Sequence, residues 1–189
     1  MSLSKLTIVI PTFYPGKIIK KCLASLPLTS EIIIIDNGKD LELEKIIKQQ
    51  KHKIKHYKVG DVGLSKSFNI ALAKSKNENI LITQPDVCFE KNSIINLVKA
   101  QKKYTKAGII SPLLFEKNKY SQYDYLDLSL SKLGTLENKR RAEKVSIFPS
   151  GDICVEAVNA TAMLIKKSII KKINGWDENI YTYHEDIDL

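Results

Sequence analysis

Arginine is nearly missing from this chain: of 30 basic residues, all but Arg140 and Arg141 are lysine. Arginine is the preferred group for bidentate contacts to phosphate and guanine. A net charge of +9 carried almost wholly by lysine therefore argues against a nucleic-acid-binding face, and no nucleic-acid partner is expected. The richness in Lys, Ile and Asn reads instead as a coding bias toward A and T. Lys45, Lys48, Lys51, Lys53, Lys55 and Lys58 read as a solvated helix face and loop, which permits peripheral contact with an anionic membrane.

Cysteine is scarce as well. Cys22, Cys88 and Cys154 are odd in number, far apart and not in CxxC pairs, which excludes a disulfide framework or a zinc site. They read as small core residues in a reduced, cytosolic compartment. Long apolar runs are missing: none approaches the ~20 residues of a membrane-spanning helix. The stretch from Met1 to Pro11 is too short and wrongly flanked for a signal peptide. With no GxGxxG and no GxxxxGK[ST], the dinucleotide and P-loop readings lack their phosphate loops. His52 and His56 fall across a helix–strand junction and read as a solvated surface pair. There is no internal repeat.

What remains is 189 residues with 43% hydrophobic and 27% charged content, enough for one globular domain. Leu6 to Ile10 reads as a buried strand closed by Pro11, which cannot continue a ladder. Ile18, Ile19, Cys22, Leu23 and Leu26 recur at helical spacing up to Pro27. Glu31 to Asp36 is apolar on both faces, as a central parallel strand should be. Helix is expected over 41–50, 65–73 and 92–104, and strand over 54–59 and 79–83 and from Gly108. The pattern resumes with a strand over 155–165 and a helix over 167–173. Such alternation predicts a three-layer α/β/α sandwich with a mainly parallel sheet and right-handed crossovers. Region 117–150, with Tyr120, Tyr123, Tyr125 and a polar stretch from Glu137 to Lys144, reads as an insertion or mobile excursion.

Ligands bind beyond the carboxyl ends of strands in such sheets. Pro11 and Thr12, Asp36 and Asn37, and Gln84 to Asp86 all lie there. Asp36 suits a contact to a base or ribose, or equally a turn with Asn37 and Gly38. Asp86 suits a hard divalent cation bridging two phosphates, or again a turn. Asp61, Gly63 and Asn69 suit amide contacts to a diphosphate, or an ordinary loop and helix start. Asp177, Glu178, Glu185, Asp186 and Asp188 cluster with aromatic and apolar residues. A carboxylate there suits a general base of raised pKa, or a set of helix N-terminal acids.

Taken in order, these segments resemble the family 2 glycosyltransferases, enzymes of the GT-A fold that use nucleotide sugars and invert the anomeric centre. Val9-Ile-Pro-Thr-Phe-Tyr14 resembles the opening strand and nucleotide-contacting loop, so Pro11, Thr12 and Tyr14 inherit donor contacts. Ile32 to Gly38 resembles the strand whose terminal Asp meets the base or ribose, here Asp36 followed by Asn37. Asp61-Val-Gly-Leu-Ser-Lys-Ser-Phe-Asn69 is similar to the family's NxGxxxARN pattern. Thr83-Gln-Pro-Asp-Val87 stands in the place of the DxD motif, in a rhamnosyltransferase-like NPDV variant, giving Asp86 the metal and diphosphate role. Asn174-Gly-Trp-Asp-Glu178 and Tyr183-His-Glu-Asp-Ile-Asp-Leu189 resemble the GGFDE and EDxDL segments. The catalytic base is carried onto Asp186, with Glu185 as the alternative, and Trp176, Asp177 and Glu178 onto the acceptor side. Asp61 departs from the usual Asn, Phe68 from Arg or Asn, and Gln84 from the first Asp of DxD.

The resemblance implies a single GT-A domain. Residues 1–115 would form the nucleotide-sugar-binding half, and 151–189 an acceptor-side half that ends directly after its base motif and is expected to be incomplete. It implies sugar transfer from a UDP- or dTDP-sugar, with Mg²⁺ or Mn²⁺, to a glycan or lipid-linked acceptor in bacterial surface polysaccharide synthesis. The expected place is the cytoplasm, at the inner face of the plasma membrane. The alternative is a truncated, non-catalytic nucleotide-sugar-binding module of the same fold.

Overall fold

A computed structural model of the chain describes residues 3–115, 128–130, 136–138 and 151–189. The insertion reading, its three tyrosines and most of the 137–144 stretch lie outside the described residues. Five strands and four helices alternate through the first part: β1 Leu6–Thr12, α1 Ile19–Ser25, β2 Glu31–Asp36, α2 Leu41–Lys48, β3 Ile54–Lys58, α3 Leu64–Lys74, β4 Asn79–Thr83, α4 Ser93–Lys103 and β5 Ile109–Ile110. Two short strands, β6 Leu128–Leu130 and β7 Leu136–Asn138, pair antiparallel with each other. β8 Ala162–Lys166 and α5 Lys167–Lys172 follow.

The main sheet runs β3-β2-β1-β4-β8-β5, with β1, β2, β3 and β4 mutually parallel. β8 enters antiparallel to both β4 and β5. Side-chain parity divides the core into two layers, because successive residues of a strand point to opposite faces. Ile8, Ile10, Ile32, Ile34, Leu81 and Leu164 face the layer that holds α1, α2 and α4. Val9, Ile33, Ile35, Ile80, Ile82, Met163 and Ile165 face Phe68, Ala71 and Leu72 of α3, with Ile170 and Trp176. Both faces of β1 and β2 are covered, which is why their sequences are continuously apolar rather than alternating.

Several expectations need correction. Pro11 does not close β1 but lies inside it, opposite Ile35. Thr12 points its carbonyl toward β2, where it accepts from the Asn37 N–H at 2.9 Å, so Pro11 points the other way. On that side the ladder to β4 has already ended at Val9, and the missing N–H leaves no bond unmade. The expected strand over 155–165 shrinks to β8. Cys22 is buried as expected, and burial pushes its thiol up to about 12, but Cys88 and Cys154 are exposed. The two histidines are not a solvated pair: His52 Nε2 lies 3.1 Å from the Leu26 carbonyl, and His56 meets Asp36. No helix among the described residues is long and apolar enough to cross a membrane.

Candidate active site at the carboxyl edge of the sheet

At the end of β2, Asp36 is fully buried and its carboxylate is saturated from three directions. It accepts from the Gly38 N–H at 3.1 Å, the Asp40 N–H at 2.9 Å and His56 Nε2 at 3.1 Å. Asp40 in turn caps α2, accepting from the Glu42 N–H at 2.8 Å. Asp36 thus organises the turn that leads from β2 into α2. The same turn presses against the loop after β1. A β carbon on Gly38 would come within 3.0 Å of the Tyr14 ring. Tyr14 is exposed, with φ of 46°, and stacks edge-on against exposed Phe13 at 5.0 Å. Thr12 is buried, its hydroxyl donating to the Ile35 carbonyl at 3.3 Å.

Asn37 ties this edge to the start of α3. Its amide donates to Ser67 Oγ at 3.0 Å, and its oxygen accepts from the Val62 N–H at 3.2 Å. Ser67 Oγ also lies 2.6 Å from the Gly63 carbonyl, which it caps within the first turn. Asp61 is exposed and accepts from the Tyr181 hydroxyl, a bond that raises the phenol's pKa above its ordinary value.

Asn69 is committed in a different direction from the one its sequence context suggested. It donates to the Trp176 carbonyl at 2.9 Å and to Glu178 Oε1 at 3.1 Å, and accepts from the Trp176 N–H at 2.9 Å. Both amide hydrogens are therefore used within the protein. The start of α3 and the segment 174–181 form one contact region. Leu64 N–H donates to the Tyr181 carbonyl at 2.7 Å, and Ser65 Oγ to the Ile180 carbonyl at 2.5 Å. Ser65, Ser67 and Tyr181 were not singled out in the sequence. The nearest signal for them was the pair of glycines, Gly63 and Gly175, whose close approaches the packing requires.

Trp176 is buried against Phe68, with ring centroids 5.2 Å apart. Its Nε1 is buried without a partner among the described residues. Beside it opens a cleft of about 340 Å³ lined in part by Asp177 and Asp188. Asp177 shapes a turn, accepting from the Asn179 N–H at 2.9 Å. Glu178 is half exposed and lies 3.7 Å from Lys66.

The two candidate bases differ sharply. Asp186 is half-buried and accepts from the Ala160 N–H at 2.8 Å through Oδ2. Glu185 is buried, and its Oε2 has no partner among the described residues. Burial lifts the Glu185 carboxyl above its ordinary value, and the adjacent Asp186 charge adds to the effect. Sheet register sets the chain just after β4, which leads to Asp86, beside the chain just before β8, which holds Asp186. Thr83, three residues before Asp86, pairs with Ala162 at the start of β8. Gln84 N–H donates to the Thr161 carbonyl at 3.3 Å, next to the Ala160 amide that Asp186 holds. Asp86 itself is exposed. Among the described residues, no group of three His, Cys, Asp or Glu is placed to hold a metal ion.

The family model of glycosyl transferase family 2 matches residues 7–164. The chain belongs to that family. This family 2 member is 30% identical to rhamnosyltransferase WbbL of Escherichia coli strain K12 over 192 residues, covering 90% of the chain and 70% of WbbL. Its fold is that of the GT-A glycosyltransferases. It superposes on the mannosyltransferase PcManGT of Pyrobaculum calidifontis, solved with GDP-Man and Mn²⁺, at a TM-score of 0.65 and 13% identity, covering 93% of this chain and 48% of that one. Against S. aureus TarS 1-349 solved with UDP, the TM-score is 0.67 at 16% identity, covering 97% of this chain and 53% of TarS 1-349. The chain spans about half the length of these two structures.

Proposed function

We propose that this family 2 glycosyltransferase moves a sugar from a UDP- or dTDP-sugar to an acceptor hydroxyl with inversion, in the synthesis of a bacterial surface polysaccharide. The observation that carries the reading is the juncture of β4 and β8. There Asp86 follows one strand end, while Asp186 is fastened to the backbone just before the other. Nucleotide-sugar complexes of PcManGT and of TarS support the donor class, and the likeness to a rhamnosyltransferase supports a deoxysugar. The acceptor is a glycan or a lipid-linked glycan met at the inner face of the plasma membrane.

In this reading Asp186, with Oδ2 held by Ala160, keeps Oδ1 to take the proton from the acceptor hydroxyl. The acceptor oxygen then bonds to the anomeric carbon as the bond from that carbon to the diphosphate oxygen breaks, and the nucleoside diphosphate leaves with the electron pair. Glu185, buried and with an unpartnered oxygen, is the alternative base. Pro11, Thr12 and Tyr14 line the nucleotide side. Asp36 and Asn37 act there by holding the loops in shape, since their polar atoms are engaged within the protein. Trp176 walls the acceptor side.

A lone exposed carboxylate does not fit a resident metal caged by protein. It fits Mg²⁺ or Mn²⁺ brought in with the donor, which Asp86 would hold as the protein ligand while the donor and water would supply the rest. When bound, the cation supplies neutralisation of the charge that grows on the departing diphosphate.

The test is a thermal-shift panel of UDP, dTDP and GDP with and without Mn²⁺, on wild type and Asp86→Asn. A nucleotide that stabilises with metal, and loses that effect in Asp86→Asn, is the expected result; saturation at 100 times Kd is worth about 2.7 kcal/mol. Asp186→Asn should then abolish transfer while leaving nucleotide binding intact. No shift with any nucleotide would sink the reading.

A further inference from the structure

The segment 174–181 lies as a strap along the N-terminal half of α3, and one side chain, Asn69, makes three of the hydrogen bonds that fasten it. Asn69 brackets the Trp176 peptide, accepting from its N–H and donating to its carbonyl, and reaches on to Glu178. Two glycines make the approach possible. At Gly175, with φ of 89°, a β carbon would lie 2.5 Å from Asn69 Oδ1, and Gly63 closes just as tightly on Tyr181. Farther along, the strap is pinned by Leu64 and Ser65 to the Tyr181 and Ile180 carbonyls and by the Tyr181–Asp61 contact. Four residues after Tyr181 the chain delivers Glu185 and Asp186.

We infer that Asn69 is a positioning residue for the carboxylate pair: by bracketing the Trp176 peptide it fixes the strap that carries Glu185 and Asp186 to the sheet edge. The inference rests on the proposed function for the identity of the carboxylates. A bracketed peptide leaves the strap one in-plane orientation. A misplacement of about 1 Å at a reacting group costs roughly a hundredfold in rate. Asn69 acts on the chemical step through the strap and does not act on the donor.

Trp176 is the chain's single tryptophan, so its fluorescence reports the docking directly. The experiment compares wild type, Asn69→Ala, Asn69→Asp and Lys66→Ala. Circular dichroism checks folding, and the readouts are tryptophan emission, UDP and dTDP affinity with Mn²⁺, and nucleoside diphosphate release from UDP-GlcNAc and dTDP-rhamnose with water as acceptor. Asn69→Ala should shift emission to the red and increase acrylamide quenching. It should also lower kcat roughly 30- to 100-fold while nucleotide Kd and donor KM change by less than about threefold. Asn69→Asp keeps the acceptor for the Trp176 N–H, loses both donors and faces Glu178, so it should move the same readouts if the alanine variant does not fold. Lys66→Ala removes an exposed 3.7 Å pair and should match wild type. A tenfold or greater loss of nucleotide affinity with kcat unchanged would assign Asn69 to the donor and overturn the inference. If wild type binds no nucleotide and releases none, the proposed function fails. Emission then decides the strap alone, and an unshifted spectrum in both Asn69 variants overturns the fastening itself.

Discussion

Gly63 and Tyr181 meet backbone to backbone across the start of α3. A β carbon on Gly63 would fall inside the envelope of the Tyr181 carbonyl oxygen and 2.8 Å from its ring carbon Cδ2. The same carbonyl accepts from Leu64, the residue that follows, at 2.7 Å. The absence of a side chain at one position is therefore what lets a segment more than a hundred residues later close on the helix.

Gly63→Ala should cost about 3 kcal/mol, because φ of 80° is strained for alanine and the clash is with backbone, which cannot rotate away. Gly108, where an added β carbon would meet nothing within 4 Å, is the control, and Gly108→Ala should stay within about 0.5 kcal/mol. Urea denaturation of both variants checks the contrast. Equal costs would show that the close approach does not exist in solution.

Asp36→Ala removes the acceptor for two backbone amides and for His56 from a fully buried position. The expected cost is about 3–5 kcal/mol, dominated by the donors left buried without partners. His56→Gln, which keeps a donor on an edge-side strand residue, should cost less, about 1 kcal/mol. Chemical denaturation at neutral pH reads both. A larger loss from His56→Gln than from Asp36→Ala would show that the histidine, not the carboxylate, holds the turn.

Glu185 carries a pH signature of known sign. Its folded pKa is raised above the ordinary 4.5, mainly by burial, so the protonated carboxyl is favoured in the folded state. Its contribution to stability is fully present below 4.5 and is lost as pH rises through the folded value. Glu185→Gln, always neutral, should therefore have a higher melting temperature than wild type at pH 7.5 and about the same at pH 4. A lower melting temperature at pH 7.5 would mean that the carboxylate is paired or solvated there.

Glu31 titrates in the opposite direction. Burial would raise it, but Lys55 at 2.5 Å, Thr7 at 2.6 Å and the Lys76 N–H at 3.0 Å outweigh burial and hold it below its ordinary value. The stability it supplies is present above the ordinary value of 4.5 and is lost as pH falls through the folded value. Glu31→Gln should cost about 1–2 kcal/mol at pH 7, with the gap from wild type closing in acid. A gap that persists unchanged in acid would rule out the charge as its source.

The architecture was legible because it is local. The continuous apolar runs of β1 and β2 announce strands covered on both faces, and Pro27 marks the stop of the first helix. Positions of the motifs at strand ends were legible for the same reason. Directions of side chains were not. Asn37 and Asn69 sit in donor-like sequence contexts, yet one joins β2 to α3 and the other holds Trp176. His56 reads as a surface residue until β3 pairs beside β2 and brings it to Asp36.

By itself, then, the sequence determined which segments become strands and helices from β1 to β5, which faces are apolar, and the order of the motifs at the carboxyl edge, since these depend on residues within a few positions of one another. Tertiary structure alone decided which polar groups remain available to a ligand. A carboxylate or amide bonds to whatever donor or acceptor the fold delivers, and here the partners of Asn69 and Asp186 arrive from 107 and 26 residues away.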